Sequence, residues 1–235
     1  FNMLHKYSKT AELTAEISYL DYQSDDNRFL NSTYFKPNGV TDSAEAFTYI
    51  LPASAKIYVG KTDYVKNFED NTKFEAGVKS GFVTNDNIND YYLPAGIDNS
   101  RSNRYKYWEN VNAAYVNAQK MWNRFGMQLG MRAEHTIAKG NQLGNELVEG
   151  TRFKKNYISF FPGIFFSYKL DSNGTDNMSF AITRRINRPN YQMMNPFVFF
   201  KDQYTVSSGN PLLMPQFQYR FELKYQHRQW LNMGL

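Results

Sequence analysis

The sequence predicts an all-β chain whose antiparallel strands cross a bilayer as part of a barrel. Three observations predict it: long runs of strict apolar/polar alternation, connections that are short and long by turns, and no apolar stretch near the roughly 18 residues of a spanning helix. Strands place neighbouring residues on opposite faces, so each alternating run is a ribbon with one apolar side. Alternation alone leaves open whether that side meets a protein core or lipid. Length and rhythm decide between them.

Along the chain, residues 10–18 set Ala11, Leu13, Ala15 and Ile17 against Glu12, Thr14, Glu16 and Ser18, and Tyr19 extends the apolar row. A shorter strand lies around 56–59. Residues 73–82 repeat the pattern with Phe74, Ala76, Val78 and Phe82 against Lys73, Glu75 and Lys79. In 126–135, "GMQLGMRAEH", Met127, Leu129, Met131, Ala133 and His135 fall on one side. Gly126, Gln128, Gly130, Arg132 and Glu134 fall on the other. A weaker strand covers 177–185, and 217–226 alternates Phe217, Tyr219, Phe221, Leu223 and Tyr225 with Arg220, Glu222 and Lys224. Such runs reach about nine or ten residues, whereas soluble strands average about 5–6 and a tilted spanning strand needs about 9–11.

Turn-rich short connections are expected at 25–27, 67–71, 120–123 and 171–177, and longer ones at 36–54, 85–103, 138–152 and 187–216. Tight turns on one rim and long loops on the other characterise a membrane barrel. Trp122 and Trp230 fall at or beside short turns, with Phe125 and Tyr168 close by, where amphipathic rings suit a membrane boundary.

If the apolar rows face lipid, Glu12, Glu16, Lys73, Glu75, Lys79, Gln128, Arg132, Glu134, Arg185, Arg220, Glu222 and Lys224 face the lumen. Arg184 is the one charge in an apolar row, near the end of its strand. Gly126 and Gly130 are expected to leave room beside the lumen charges, and the strand is expected to end in a long loop after His135. About nine strands are supported, with a tenth beginning at Trp230. An unpaired strand edge is not tolerated in hydrocarbon, so the chain reads as a partial barrel of about 9–10 strands. All 235 residues are assigned to one transmembrane domain.

Composition removes other classes. The absence of Cys excludes disulfide frameworks, thiolate nucleophiles and Cys-based zinc sites. A net charge of +5, spread along the chain, argues against nucleic-acid binding. Glu134 and His135 point to opposite faces and cannot act as a dyad. His5 and His227 lack ligand spacing. Glu12 and Glu16 share a face but stand about 13 Å apart, beyond the roughly 5–9.5 Å of a glycosidase pair. No Gly-x-Ser-x-Gly elbow is present. No catalytic residue, metal site or cofactor is therefore assigned, and the chain is read as a non-enzyme.

Late segments carry a family likeness. "RRINRPNYQMMNPF" at 184–197, "GNPLLMPQ" at 209–216 and "FELKY" at 221–225 resemble the barrel of TonB-dependent outer-membrane receptors of the Bacteroidota-type outer-membrane β-barrel family. Upstream, "ENVNAAYVNAQ", "GMRAEHTIAKG" and "FFPGIFFSYKL" are similar too. The resemblance implies an antiparallel transmembrane outer-membrane β-barrel of about 22 strands, of which this chain is the portion before the C-terminal end. It implies nutrient import energised by TonB through a plug domain. Neither a plug nor a TonB box is found in the chain. A SusD-like surface lipoprotein would suit the resemblance, although no residue argues for it.

Pro189, Pro196, Pro211 and Pro215 cannot donate to a ladder and place an irregular loop there. Asn187, Asn190, Asn195 and Asn210 can fold that loop on itself. A second reading has Arg185, Arg188, Tyr191, Asn195 and Asn210 meet substrate or plug at the outer mouth. For the whole protein, the alternatives are a non-transport barrel subunit of a surface or secretion assembly and a soluble carbohydrate-binding sandwich.

Overall fold

The computed structural model describes residues 1–172, 174–202, 204–228 and 231–234, and the side chains of Leu231 and Asn232 are not among the described features. Its strands are β1 (Asn2–Ser8), β2 (Ala11–Ser24), β3 (Asn27–Phe35), β4 (Thr41–Ile50), β5 (Ala53–Asn67), β6 (Thr72–Leu93), β7 (Gly96–Ile97) and β8 (Asn103–Met121). They continue with β9 (Phe125–Leu143), β10 (Thr151–Lys169), β11 (Asp176–Asn187), β12 (Val198–Phe200), β13 (Val206–Ser208), β14 (Gln216–His227) and β15 (Leu231–Gly234). Among the described residues the one helix, α1, is Tyr191–Met194. The main sheet follows β1-β2-β5-β6-β8-β9-β10-β11-β14-β15, antiparallel throughout, and is open between β1 and β15. Up-and-down order is what tight turns between successive strands dictate. The remaining strands decorate one rim.

Register sorts the two faces. Val78, Ala114, Ala133 and, on the next strand, Phe160 stand directly opposite one another, as do Phe74, Ala118, Leu129 and Ile164. The row continues through Ile182 to Phe221. Most of this face is exposed, Val78 by 57%, Phe221 by 63% and Ile158, opposite His135, by 64%. So wide an apolar surface marks contact with something other than water. On β9 the band from Met127 to Ile137 covers about 33 Å of strand at about 3.3 Å per residue. Tilted near 40°, that is about 25 Å, the height of a barrel's lipid-facing band.

Aromatic rings fringe the band. Trp122 stacks on Phe125 at 5.6 Å and Phe125 on Phe166 at 5.8 Å beside the short turns. Toward the other rim Tyr19, Tyr58, Phe82 and Trp108 form a chain of rings across β2, β5, β6 and β8, at 4.8, 6.1 and 5.4 Å. Trp230 lies outside the described residues.

Several expectations are corrected. Residues 85–103 and 138–152 are mostly strand: β6 continues to Leu93 and β8 starts at Asn103, while β9 runs eight residues past His135 to Leu143. Above the band the outward face carries Lys106, Trp108 and Lys139 while the inward face carries Tyr105 and Tyr107, so the alternation fades while the ladder continues. The 25–27 turn joins β2 to β3 on the long-loop rim, where β3 and β4 form a hairpin. The first short turn is instead at Lys9–Thr10, after β1, a strand the pattern missed. The space beside Gly126 and Gly130 is filled: a Cβ on Gly130 would overlap the Asn117 carboxamide, and one on Gly126 would meet Met121 and Ser167.

Arg184 has a local cause. Pro162 has no N–H to give, and β10–β11 pairing stops at Gly163 opposite Thr183. Arg184 then donates to the Phe160 carbonyl at 2.7 Å and lies 4.3 Å over the Phe217 ring. Its guanidinium fills the gap between strands rather than projecting into the apolar row.

Candidate functional site

The face opposite the apolar band carries Glu12, Glu16, Lys73, Glu75, Lys79, Gln128, Arg132, Glu134, Arg185, Arg220, Glu222 and Lys224. A cavity of about 1010 Å³ is bounded by Glu12 of β2, Tyr115 of β8 and Thr183 of β11. Strands so far apart can border one space only if this face is concave. Its charges neutralise one another along and across strands: Lys61 with Glu16 at 3.2 Å, Lys73 with Glu75 at 2.5 Å and Arg220 with Glu222 at 2.6 Å. Lys224 completes the Glu222 cluster at 3.0 Å. Gln128 borders the same cavity.

Toward the long-loop rim the concave face becomes buried. Tyr105, Tyr107, Ala138 and Met194 form one apolar cluster, against which Tyr191 and Phe153 pack. Met194 and Tyr191 belong to the connection 188–215, so this loop folds inward over β8, β9 and β10. Gly140 lets Phe153 and the Tyr105 hydroxyl lie against β9 where a Cβ would collide with both.

Two cations hold the loop to the wall. Arg188 pairs with Glu134 and donates to the Thr136 hydroxyl at 3.2 Å. Glu134 is buried and also takes Arg132 at 2.6 Å, so one carboxylate joins two guanidinium groups. Lys155 of β10 donates to the Leu213 carbonyl and lies 3.5 Å from the Met194 sulfur. A third anchor is Tyr49, whose hydroxyl donates to the Phe200 carbonyl. Around it Phe47 stacks on Tyr91 at 4.9 Å, and Arg101 lies 4.6 Å over the Phe200 ring and 3.3 Å from Glu45. Three outer connections are thereby packed into one cap.

Sequence-expected contact residues divide in their roles. Asn195 accepts from the Phe197 amide at 3.2 Å and Asn210 from the Leu212 amide at 2.8 Å, so both side chains shape their own loop. Asn190 caps α1, accepting from the Met193 amide at 2.8 Å. Tyr191 lies 6.4 Å from Tyr107 and borders a recess at the mouth. Arg185 is exposed on the concave face of β11, away from that recess. Lys155, Tyr49 and Arg101 were not found from sequence. Each acts through partners more than 30 residues away, and only adjacent "KK" at 154–155, one side chain per face, hinted at an inward cation.

The mouth recess, about 870 Å³, lies between Asn87, Asn89 and Asn103 of the wall and Asn190, Tyr191 and Gln192 of the loop. Among the described residues its only charges, Asp26 and Arg28, pair at 2.6 Å. The Asn87 and Asn89 amide nitrogens and the Asn89 and Asn103 carbonyl oxygens are buried without a protein partner among the described residues. Amides buried without a protein partner are uncommon in folded proteins. Among the described residues no group of three or more His, Asp or Glu is arranged to hold a metal ion.

Convex apolar band, aromatic fringes, short turns and long capped loops define an outer-membrane β-barrel wall. The Outer membrane protein beta-barrel family model matches residues 5–235, and the chain belongs to that family, which places it in the bacterial outer membrane. Solved structures with the same fold include the ferric yersiniabactin uptake receptor FyuA from Yersinia pestis, 12% identical with a TM-score of 0.66 over 97% of this chain. The ferric-catecholate import receptor Fiu from E. coli K12 is 13% identical, with a TM-score of 0.68 over 98%. The ferric citrate transporter FecA is 13% identical, with 0.66 over 99%. This chain spans 32%, 37% and 32% of their respective lengths. No curated protein matches the sequence. These matches concern barrels and add nothing on a SusD-like lipoprotein.

Proposed function

We propose that the chain is part of the barrel of a TonB-dependent importer, of the Bacteroidota type that the 184–225 motifs suggest, with its concave face as the lumen wall. The observation that carries this reading is the inward loop 188–215. It is clamped by Arg188 and Lys155 over a polar recess whose wall amides lack protein partners. A barrel serving only as a structural subunit has no need of unsatisfied amides at its mouth. In this reading the open edges at β1 and β15 meet further strands, and the charged concave face below the cap meets a plug that TonB acts on. Arg185, exposed on that face, faces the plug. Tyr191 and the recess amides meet the imported nutrient, while Asn195 and Asn210 hold the loop in shape.

The test is uptake in cells carrying the full-length protein. Binding and import of the nutrient that supports growth are expected to fall when Asn89→Leu and Asn103→Leu are combined, and import alone to stop when TonB is deleted. Import that persists without TonB would refute the reading.

A further inference from the structure

Beyond import, the outward wall carries an unbalanced patch of cations. On the convex face, Trp108, Lys139 and Lys154 stand in one row across β8, β9 and β10, and Lys106, Asn141 and Arg152 stand in the next. Lys106 shares Asp86 with Arg104, at 3.7 and 2.6 Å. Lys139, Arg152 and Lys154 have no carboxylate within ion-pair distance among the described residues. Lys139 lies 5.0 Å over the Trp108 ring, and Arg152 donates to the Asn141 side chain at 3.1 Å. No acidic residue projects outward from β9 or β10 above Ala133. Glu134 projects to the opposite face, and the next acids along the chain, Glu146 and Glu149, are in the loop beyond Leu143.

The height of this patch matters. Ile137 ends the roughly 25 Å apolar band on β9, so Lys139 comes at the level where lipid head groups begin. Directly below, Val78, Ala114, Ala133, Ile158 and Phe160 line an outward groove of about 570 Å³, opened because two facing positions are alanine. At its upper end the His135 ring nitrogen is 2.7 Å from the Asn156 carboxamide, and Ser80 donates to Asn112 at 2.7 Å. Along β9 the patch at Lys139 stands about 13 Å from the groove's upper end at His135 and about 20 Å from Ala133.

We propose that this wall binds a phosphorylated membrane lipid, its anionic head group against Lys139, Arg152 and Lys154 and an acyl chain in the Ala114–Ala133 groove. Charge complementarity selects the head group: three cations without acids attract phosphate and discriminate against a zwitterionic or neutral lipid. Position selects the source, since the groove opens only toward the bilayer. The inference rests on the outer-membrane placement and not on the transport reading.

Native mass spectrometry of the full-length protein, released from nonionic detergent with added dioleoylphosphatidylglycerol or dioleoylphosphatidylcholine, tests it. Heat-modifiable gel mobility verifies that each variant is folded. The phosphatidylglycerol adduct is expected to exceed the phosphatidylcholine adduct. Combining Lys139→Gln with Lys154→Gln is expected to weaken it about 30-fold, equivalent to about 2 kcal/mol. Ala133→Phe, filling the groove with an apolar ring, is expected to weaken both lipids, and Lys36→Gln in the outer hairpin neither. Equal retention of phosphatidylglycerol by wild type and the double lysine variant overturns the proposal. So does full displacement of the lipid by millimolar inorganic phosphate, which would make the patch a free-anion site.

Discussion

Replacing Arg188 by Met should release the mouth loop while leaving the barrel wall intact. Met keeps much of the aliphatic volume but removes the ion pair to Glu134 and the 3.2 Å bond to Thr136. Stranding a buried charge costs about 3–5 kcal/mol. Glu134 is not stranded, because Arg132 remains at 2.6 Å. The loss is then that of hydrogen bonds to a charged group, about 1.5–3 kcal/mol, and about 2 kcal/mol is the working value. Borne by local opening, 2 kcal/mol raises the open population about 30-fold. Hydrogen exchange reads this directly. The Gly209 amide donates to the Asn195 carbonyl at 2.8 Å and the Asn210 amide to Met193 at 2.7 Å, and both bonds exist only while the loop is folded. Both amides should exchange about 30-fold faster, with β8 and β9 unchanged. Unaltered exchange at both would show that Arg188 does not hold the loop, and acceleration across β8 and β9 would show that the wall depends on it.

Other consequences are as concrete. Leu129→Arg puts a charge in the lipid-facing row and should lower folding stability in bilayers by about 2–4 kcal/mol, measured by denaturant titration, whereas Lys36→Arg on the outer hairpin should not. Gly130→Val must displace the Asn117 carboxamide and should destabilise by about 1–3 kcal/mol as overpacking does, while Gly81→Ala, with its nearest neighbour at 3.9 Å, should be tolerated. In the β10–β11 turn, the Asp176 amide and the Thr175 hydroxyl hold the Asp171 carboxyl below its ordinary 3.8. Its folded value is depressed, so its contribution is complete above 3.8 and lost as pH falls through the folded value. Turn protection at Asp176 should therefore drop in acid, and Asp171→Asn should remove that pH dependence.

What the sequence disclosed depended on the solvent each face meets. Along 126–135 one face belongs to the convex apolar band and the other to the charged concave face, so Met127, Leu129 and Met131 stand out against Gln128, Arg132 and Glu134, and the same contrast marks 217–226. Above the band the contrast disappears. Inward Tyr105 and Tyr107 alternate with outward Lys106 and Trp108, amphipathic on both sides, and 85–103 resembles a loop although its ends are paired strand. β1 was hidden because Met3 and Leu4 are adjacent and its register shifts between Lys6 and Ser8. In the mouth, prolines and asparagines announced an irregular loop, and Arg188 and Tyr191 were singled out with it. That the loop turns inward was written only in its apolar residues, of which Met194 and Phe197 are each at most 4% exposed. Lys155, Tyr49 and Arg101 hold it through contacts between distant strands, which one-dimensional spacing does not encode.

The central claim, that odd-numbered β9 residues touch lipid and even-numbered ones the interior, can be read residue by residue. This chain has no cysteine, so with any cysteine outside it replaced, single cysteines placed from Met127 to Asn141 in the full-length protein can each carry a nitroxide label in a bilayer. Collision with dissolved oxygen should peak at positions 127, 129, 131, 133, 135 and 137, with a period of two. At position 139 the outward label should become accessible to a water-soluble nickel reagent. Absence of the period, or oxygen maxima at the even positions, would contradict the assignment of this face to the membrane.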